Sequence, residues 1–319
     1  MNRIKVLFNM LFLASLIIYV IYNIDDFLII SKISLFNFFL INIFHVIYLC
    51  LAGLKLSTII NKENVQISNI EWLYYFAKGR LISSIIPQGG NLHNALVLKK
   101  EYNIKYSKFA SDFLTFAWLD IIINLLICAL ILIVINPTFS MGSLNLLKIT
   151  IIFIILLIIA PFLFDILIKK FSIRNEILKY KFILIFEVIV NNVVKIKGYP
   201  NIIIKNLLYS FLTFSSNVLI VIMTYASLNQ SITLEAGSMF AAIIKIGSLI
   251  QVVPGNIGIM EFAYGFLANK INISINTGIL VSMIIRISGF ISLLFLLIFI
   301  KVSLNIKKKY HRDIDHIIV

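Results

Sequence analysis

The chain has 319 residues, of which 61% are hydrophobic and only 13% charged, yet its formal net charge is +14. A soluble domain is nearer half apolar and a quarter charged, and one core cannot hide such an excess because the surface must still be solvated. The bilayer is therefore the main solvent, which excludes a soluble enzyme, a disordered tail and a secreted disulfide scaffold.

About 20 apolar residues cross the hydrocarbon as a helix. In chain order, the runs that predict spans are Val6 to Ile24, Leu35 to Ile60, Phe109 to Ile135, Leu146 to Ile168, Ile202 to Leu228 and Ile275 to Ile300. Arg3 and Lys5 before the first run resemble the start of a signal peptide, but no small-residue cleavage site follows it, so it reads as a retained helix. Two further regions are interrupted. Ile70 to Leu98 is broken at Pro87-Gln88-Gly89-Gly90-Asn91, and Ala236 to Lys270 is hinged at Pro254-Gly255. Each reads as a re-entrant hairpin or a broken helix, which a membrane tolerates only where the backbone is buried in protein or lines a cavity. Glu176 to Lys197 reads as a helix in the cytoplasmic interface, with Glu187, Asn191 and Lys195 opposite Ile185, Phe186, Ile189 and Val190. The alternative is one more spanning helix.

Charge sets the orientation. Twenty-three of the 28 basic residues lie at the N-terminus, at or beyond the end of the Leu35–Ile60 run, beyond the Leu146–Ile168 run, or after the last run. The opposite loops hold only Lys32, Lys148 and Lys270, with Asp25, Asp26 and Glu235. The positive-inside rule then predicts a multi-pass protein of the cell membrane with both termini cytoplasmic. Its basic residues meet anionic lipid headgroups, not nucleic acid. The first interrupted region starts and ends inside, and the second starts and ends outside. Broken segments in corresponding places of two halves suggest an inverted repeat around a midplane site.

Cys50 and Cys128 lie in apolar runs and need no redox or metal role. No zinc spacing, Walker loop or GxSxG occurs, so no cofactor is implied and uphill transport would need an ion gradient or a partner. The preference for Ile, Asn and Lys over Val, Arg and Gly suggests an AT-rich prokaryotic genome.

Charges inside apolar segments single out candidate site residues. Lys245 and Arg286 lie within such segments, and Glu261 follows the Pro254 break. A charge at the bilayer centre costs at least about 2.5–3.5 kcal/mol, so each needs a partner or water. Gly278, Ser282, Arg286, Gly289 and Ser292 share one helical face, and Ser238, Ala241, Ala242, Lys245 and Ser248 another. Ser210, Thr213, Asn217 and Thr224 form a third polar stripe, and Ala117, Asp120, Asn124 and Cys128 a fourth. Small-residue faces point at neighbouring helices. They therefore predict a polar interior, or plain interhelical hydrogen bonding. A Glu261–Arg286 ion pair is the structural alternative to a binding role. Asp112 and Asp165 read as solvated near the interfaces, and His45 and His93 as hydrogen-bonded structural histidines. If a helix restarts after Gly258, its free N–H groups face an anion such as a lipid phosphate. Glu261 in its first turn equally fits capping.

The segment Pro254-Gly255-Asn256-Ile257-Gly258-Ile259-Met260-Glu261 resembles the P-G-x-I-G-V-x-E signature of the lysylphosphatidylglycerol synthase transmembrane, or flippase-like, family. Arg80 through Pro87, Gly89 and Gly90 is similar to that family's first break, which leads into a short basic helix, here ending Lys99-Lys100. Asp120 falls where the family tends to carry an Arg-x-x-Asp pair, and Arg286 where it has an Arg in the last span. Two departures stand out. Gly90-Asn91 replaces a common Gly-Glu, and Trp118 or its neighbours replace the Arg of the pair. They suggest a cargo other than lysylphosphatidylglycerol. Larger members, the multiple peptide resistance factors, carry a soluble aminoacyl-transferase domain after the membrane part. Here Val319 follows soon after the last span, so no such activity is expected. The resemblance implies that some stand-alone members serve glycan or archaeal lipid-sugar assembly.

The expectation is a single all-α polytopic domain over residues 1–319, with about seven or eight spans and two broken elements flanking a polar cavity. Its implied role is alternating-access translocation of an anionic phospholipid or a polyprenyl-linked lipid. The residues taken to bind substrate are Arg80, Pro87, Gly89, Gly90, Asp120, Lys245, Pro254, Gly255, Asn256, Gly258, Glu261 and Arg286. One rival is a non-transporting accessory subunit serving envelope or glycan-assembly enzymes. The other is an intramembrane lipid transferase using Asp120 or Glu261 as base.

Overall fold

A computed structural model describes residues 21, 33–60, 67–141, 144–171, 200–247 and 254–315. The expected first span, the interfacial helix at Glu176 to Lys197 and Ser248 lie outside the described residues. Nine helices occupy the rest: α1 (Leu35–Ile60), α2 (Asn69–Ile85), α3 (Gly89–Tyr102), α4 (Tyr106–Ile135), α5 (Leu146–Phe171), α6 (Pro200–Ser227), α7 (Leu234–Gly247), α8 (Ile259–Lys270) and α9 (Ile275–Asp315). A two-residue antiparallel pair, Ser140–Met141 with Leu144–Asn145, closes the α4–α5 connection. The fold is an all-α polytopic membrane protein, as expected. Among the described residues α1, α4, α5, α6 and α9 are long and apolar enough to cross a membrane.

Local chemistry accounts for most boundaries. Ser68 caps α2, its hydroxyl accepting from the Glu71 amide at 3.3 Å. Pro200 opens α6, where its missing N–H would have no partner anyway. Asn103, Asn229 and Asn272 take the left-handed conformation just past α3, α6 and α8, with φ of 56°, 58° and 61°. That position usually goes to glycine. Here the asparagine-rich composition fills it. α9 continues past the expected Ile300, because nothing breaks its pattern before the basic tail.

The surface is unusually apolar and the interior holds many polar groups beside its apolar core. Phe36 and Phe39 of α1, Leu130 and Val134 of α4, and Phe295 and Phe299 of α9 are exposed. Asp120, Asn124, Asn206, Ser210 and Glu261 are buried. Asp112 is buried as well, against the expectation that it would be solvated; it points into the bundle from a helix whose lipid face is already apolar. Nor are the histidines hydrogen-bonded throughout, since Nε2 of both His45 and His93 is buried without a partner.

Lipid is as apolar as leucine, so packing between these helices rests on close approach, not on the hydrophobic effect. Trp72 of α2 is buried and donates its indole N–H to the Gly53 carbonyl of α1 at 3.0 Å. Tyr225, Phe240 and Tyr264 pack as tilted rings in series from α6 through α7 to α8, with centroids 5.4 and 5.0 Å apart. Two glycine contacts set the tightest approaches. A Cβ at Gly90 of α3 would collide with the Gly79 carbonyl of α2, and one at Gly278 of α9 would lie 2.5 Å from the Tyr264 carbonyl of α8.

The two breaks differ in form yet meet. In the first, Ile86 leaves helical geometry, Gln88 takes φ 61°, and α3 restarts at Gly89 as the return arm of a hairpin. In the second, a 3-10 turn at Pro254–Asn256 leads into α8, with Gly255 at φ 57° and Gly258 at φ 86°. A Cβ on Gly255 would sit 3.5 Å from the Ser84 carbonyl at the end of α2. The tips of the two broken elements therefore touch.

Gly90→Ala and Gly278→Ala should each lower stability by about 1–3 kcal/mol through overpacking. Gly289→Ala should be near neutral, because a Cβ there meets only His45 at ordinary contact distance, 3.4 Å. Thermal unfolding in detergent, followed by tryptophan fluorescence, checks the contrast.

Candidate functional site

A cavity of about 160 Å³ opens between α1, α2, α3, α4, α6 and α7. Each helix contributes one polar face to it. Tyr48, Ala52, Lys55 and Leu56 come from α1, spaced to share one side of a helix. Gly79, Arg80 and Ser83 come from α2, Gly90, Asn91 and Asn94 from α3, and Ala117, Asp120 and Asn124 from α4. α6 adds Asn206, Thr213 and Asn217, and α7 adds Lys245.

Asp120 stands at its electrostatic centre. Lys55 donates to its Oδ1 at 2.7 Å, and the Ser210 hydroxyl donates to the same oxygen at 2.6 Å. Lys245 pairs with Oδ2, and Asn124 donates to Oδ1 at 3.1 Å. The carboxylate is 6% exposed, and the two lysine side chains are 13% and 22% exposed. Charges this enclosed would be costly alone, so the lysines and the aspartate neutralise one another only in part. Arg80 supplies a third cation. Its Nη2 donates to the Tyr48 hydroxyl at 3.2 Å, its guanidinium lies 5.6 Å from the Phe76 ring centroid, and its buried Nε has no partner. Asn94 keeps a buried Oδ1 without a partner. Among the described residues three cations thus line the cavity with one carboxylate, and the Arg80 Nε donor and the Asn94 Oδ1 acceptor are unused.

Of the residues expected from sequence, Arg80, Gly90, Asp120 and Lys245 line this cavity. Pro87 and Gly89 stand in the adjoining turn and helix start, outside the lining. The others form a separate cluster. Arg286 donates from Nε and Nη2 to Glu261 Oε1 at 2.9 and 2.6 Å, and from Nη1 to the Gly255 carbonyl at 2.6 Å. Glu261 Oε2 accepts the Gly258 N–H at 2.7 Å, so the third residue of α8 reaches back to the N-cap amide as in one half of a capping box. Asn256 donates to the Gly247 carbonyl at 2.7 Å, tying the turn back to α7. A helix does restart after Gly258, but Glu261 itself takes the Gly258 amide that an outside anion was expected to find. Arg286 and Glu261 therefore clamp the break. The two clusters adjoin through α2, where Ser83 lines the cavity and the Ser84 carbonyl meets Gly255.

Sequence reasoning passed over Lys55, Tyr48, Asn94 and Asn206. Lys55 counted only as a loop-proximal positive charge, although it falls inside the Leu35–Ile60 run on the face of Tyr48 and Ala52. The expected hydroxyl stripes serve mixed ends. Ser210 does reach across to Asp120, whereas Thr213 and Thr224 donate to carbonyls one turn back in their own helix.

Breaking a buried ion pair from one side typically costs about 3–5 kcal/mol. Asp120→Asn should show a loss of that size in detergent melting, and Lys55→Met/Asp120→Asn/Lys245→Met should recover most of it. Arg286→Ala, which strands a carboxylate of a residue only 1% exposed, should be destabilising to the same degree.

The sequence signature described as "Lysylphosphatidylglycerol synthase TM region" matches residues 6–297, spanning both breaks and the charged cavity, and the chain belongs to that family. Among curated proteins and solved structures, nothing matches.

Proposed function

We propose that this family member carries an anionic phospholipid or a lipid-linked glycolipid between leaflets, by exposing the charged cavity alternately to the two sides of the membrane. The observation that carries this reading is the imbalance, among the described residues, of Lys55, Arg80 and Lys245 against Asp120 in the lining of one cavity among membrane helices. A site with surplus positive charge at low dielectric favours an anion. A headgroup phosphate would meet Arg80 first and compete with Asp120 for the two lysines, exchanging one charge-assisted partner for another. The carboxamides of Asn91, Asn94, Asn124, Asn206 and Asn217 suit hydroxyl groups on the same headgroup. The adjoining breaks supply the non-helical joints about which one group of helices can rock against another.

The transferase reading is less well supported, because it needs a carboxylate poised to take a proton. Asp120 is engaged by two lysines and Glu261 by Arg286 and the Gly258 amide, so the oxygens of both carboxylates already have partners. The accessory-subunit reading stays as the outcome of a failed transport test.

The test reconstitutes the purified protein into liposomes with headgroup-labelled phospholipid or polyprenyl-linked lipid, and follows accessibility to an impermeant quencher. Wild type should move one of these classes. Arg80→Gln and Lys245→Gln should each slow it by about tenfold or more, the equivalent of one hydrogen bond to a charged group. If folded wild type moves neither class, translocation is refuted and the accessory role takes its place.

A further inference from the structure

A second cavity, of about 380 Å³, lies between α4, α5, α7 and α8, away from the charged one. Its character is different. Leu125, Met239, Ala242 and Ile246 form its inner wall, and Phe153 and Phe266 frame it. Those two rings are 49% and 60% exposed on the bilayer-facing surface, so the cavity communicates with lipid. Thr150 brings a hydroxyl, but that group donates to the Leu146 carbonyl at 2.8 Å within α5 and calls for no water. An apolar void of this kind stays dry and accepts apolar guests. Packed interiors seldom leave so large a space unfilled.

The slot has a polar end. Lys270, the last residue of α8, lies at its edge with its ammonium 5.3 Å from the Phe266 ring centroid. It is exposed, and among the described residues no carboxylate pairs with it. Lys148, also exposed, stands in the first turn of α5 beside the lining residues Ile149 and Thr150. These are two of the three lysines that the charge pattern assigns to this side of the membrane. From this end the slot runs inward to Leu125, ten residues from the end of α4, a depth of about 15 Å. A cationic rim above a dry slot half a hydrocarbon layer deep matches the order of groups in a phospholipid.

We propose that this cavity binds one acyl chain of an anionic phospholipid, whose phosphate is held by the Lys270 ammonium. The site is distinct from the charged cavity, and its existence does not rest on the transport reading. It shares one wall with that cavity, since α7 turns Lys245 toward the one and Met239, Ala242 and Ile246 toward the other.

Full-length protein, stripped of lipid in detergent, is titrated with dioleoyl phosphatidylglycerol or dioleoyl phosphatidylcholine, and bound adducts are counted by native mass spectrometry. Wild type should take up its first phosphatidylglycerol at about fivefold lower concentration than phosphatidylcholine, the preference expected of one lysine at an anionic headgroup. Ala242→Leu, which fills the slot, should lose that adduct with either lipid. Lys270→Gln changes only an exposed side chain, so it reports even if Ala242→Leu fails to fold. It should keep the adduct and abolish the preference. A phosphatidylglycerol preference that Lys270→Gln leaves unchanged, or an adduct untouched by a folded Ala242→Leu, overturns the assignment.

Discussion

Asp120 accepts from Lys55 and Ser210 and pairs with Lys245, so one carboxylate on α4 gathers α1, α6 and α7 around a single point. Helices in lipid gain little by hiding apolar surface from one another. What fixes their mutual position is the cost of leaving any of these charges unmatched. The cavity exists because the four polar faces converge there. Removing the carboxylate would leave two ammonium groups repelling each other in an enclosed space. Among the described residues Arg80 joins from α2 without a carboxylate of its own, and this gives the site its cationic excess.

The second fixed point is the clamp at the break before α8. Arg286 on α9 reaches Glu261 and the Gly255 carbonyl, and Glu261 in turn caps its own helix through Gly258. Three backbone groups at the interruption, the Gly247 and Gly255 carbonyls and the Gly258 N–H, are therefore satisfied inside the protein, as suits a place with no water at hand. Contact between Gly255 and the end of α2 joins this clamp to the wall of the cavity. A shift of either broken element would be felt by the other. Packing at Gly79–Gly90 and at Tyr264–Gly278 holds the arm next to each break close to its neighbouring helix, leaving the turns themselves as the places where the backbone departs from regular geometry.

Apolar run length alone determined the membrane class and gave the starts or ends of α1, α4, α5 and α9 to the residue, because a 20-residue apolar stretch has few alternatives in water or lipid. Pro and Gly marked both interruptions, since no other residues so plainly disfavour a continued helix. Lys245, Arg286, Glu261 and Asp120 stood out for a similar reason, as ionisable groups in apolar surroundings. Periodicity even placed Asp120 and Asn124 on a buried face. What one-dimensional order could not decide was pairing. Glu261 and Lys245 are 16 residues apart, yet they belong to different clusters, while Lys245 and Asp120 are joined across 125 residues of chain. Lys55 was hidden by its position near a helix end, where charge is cheap by composition but here faces inward. Only the tertiary arrangement decided which charges neutralise which, because Coulomb energy depends on separation in space and on burial, and neither is written along the chain.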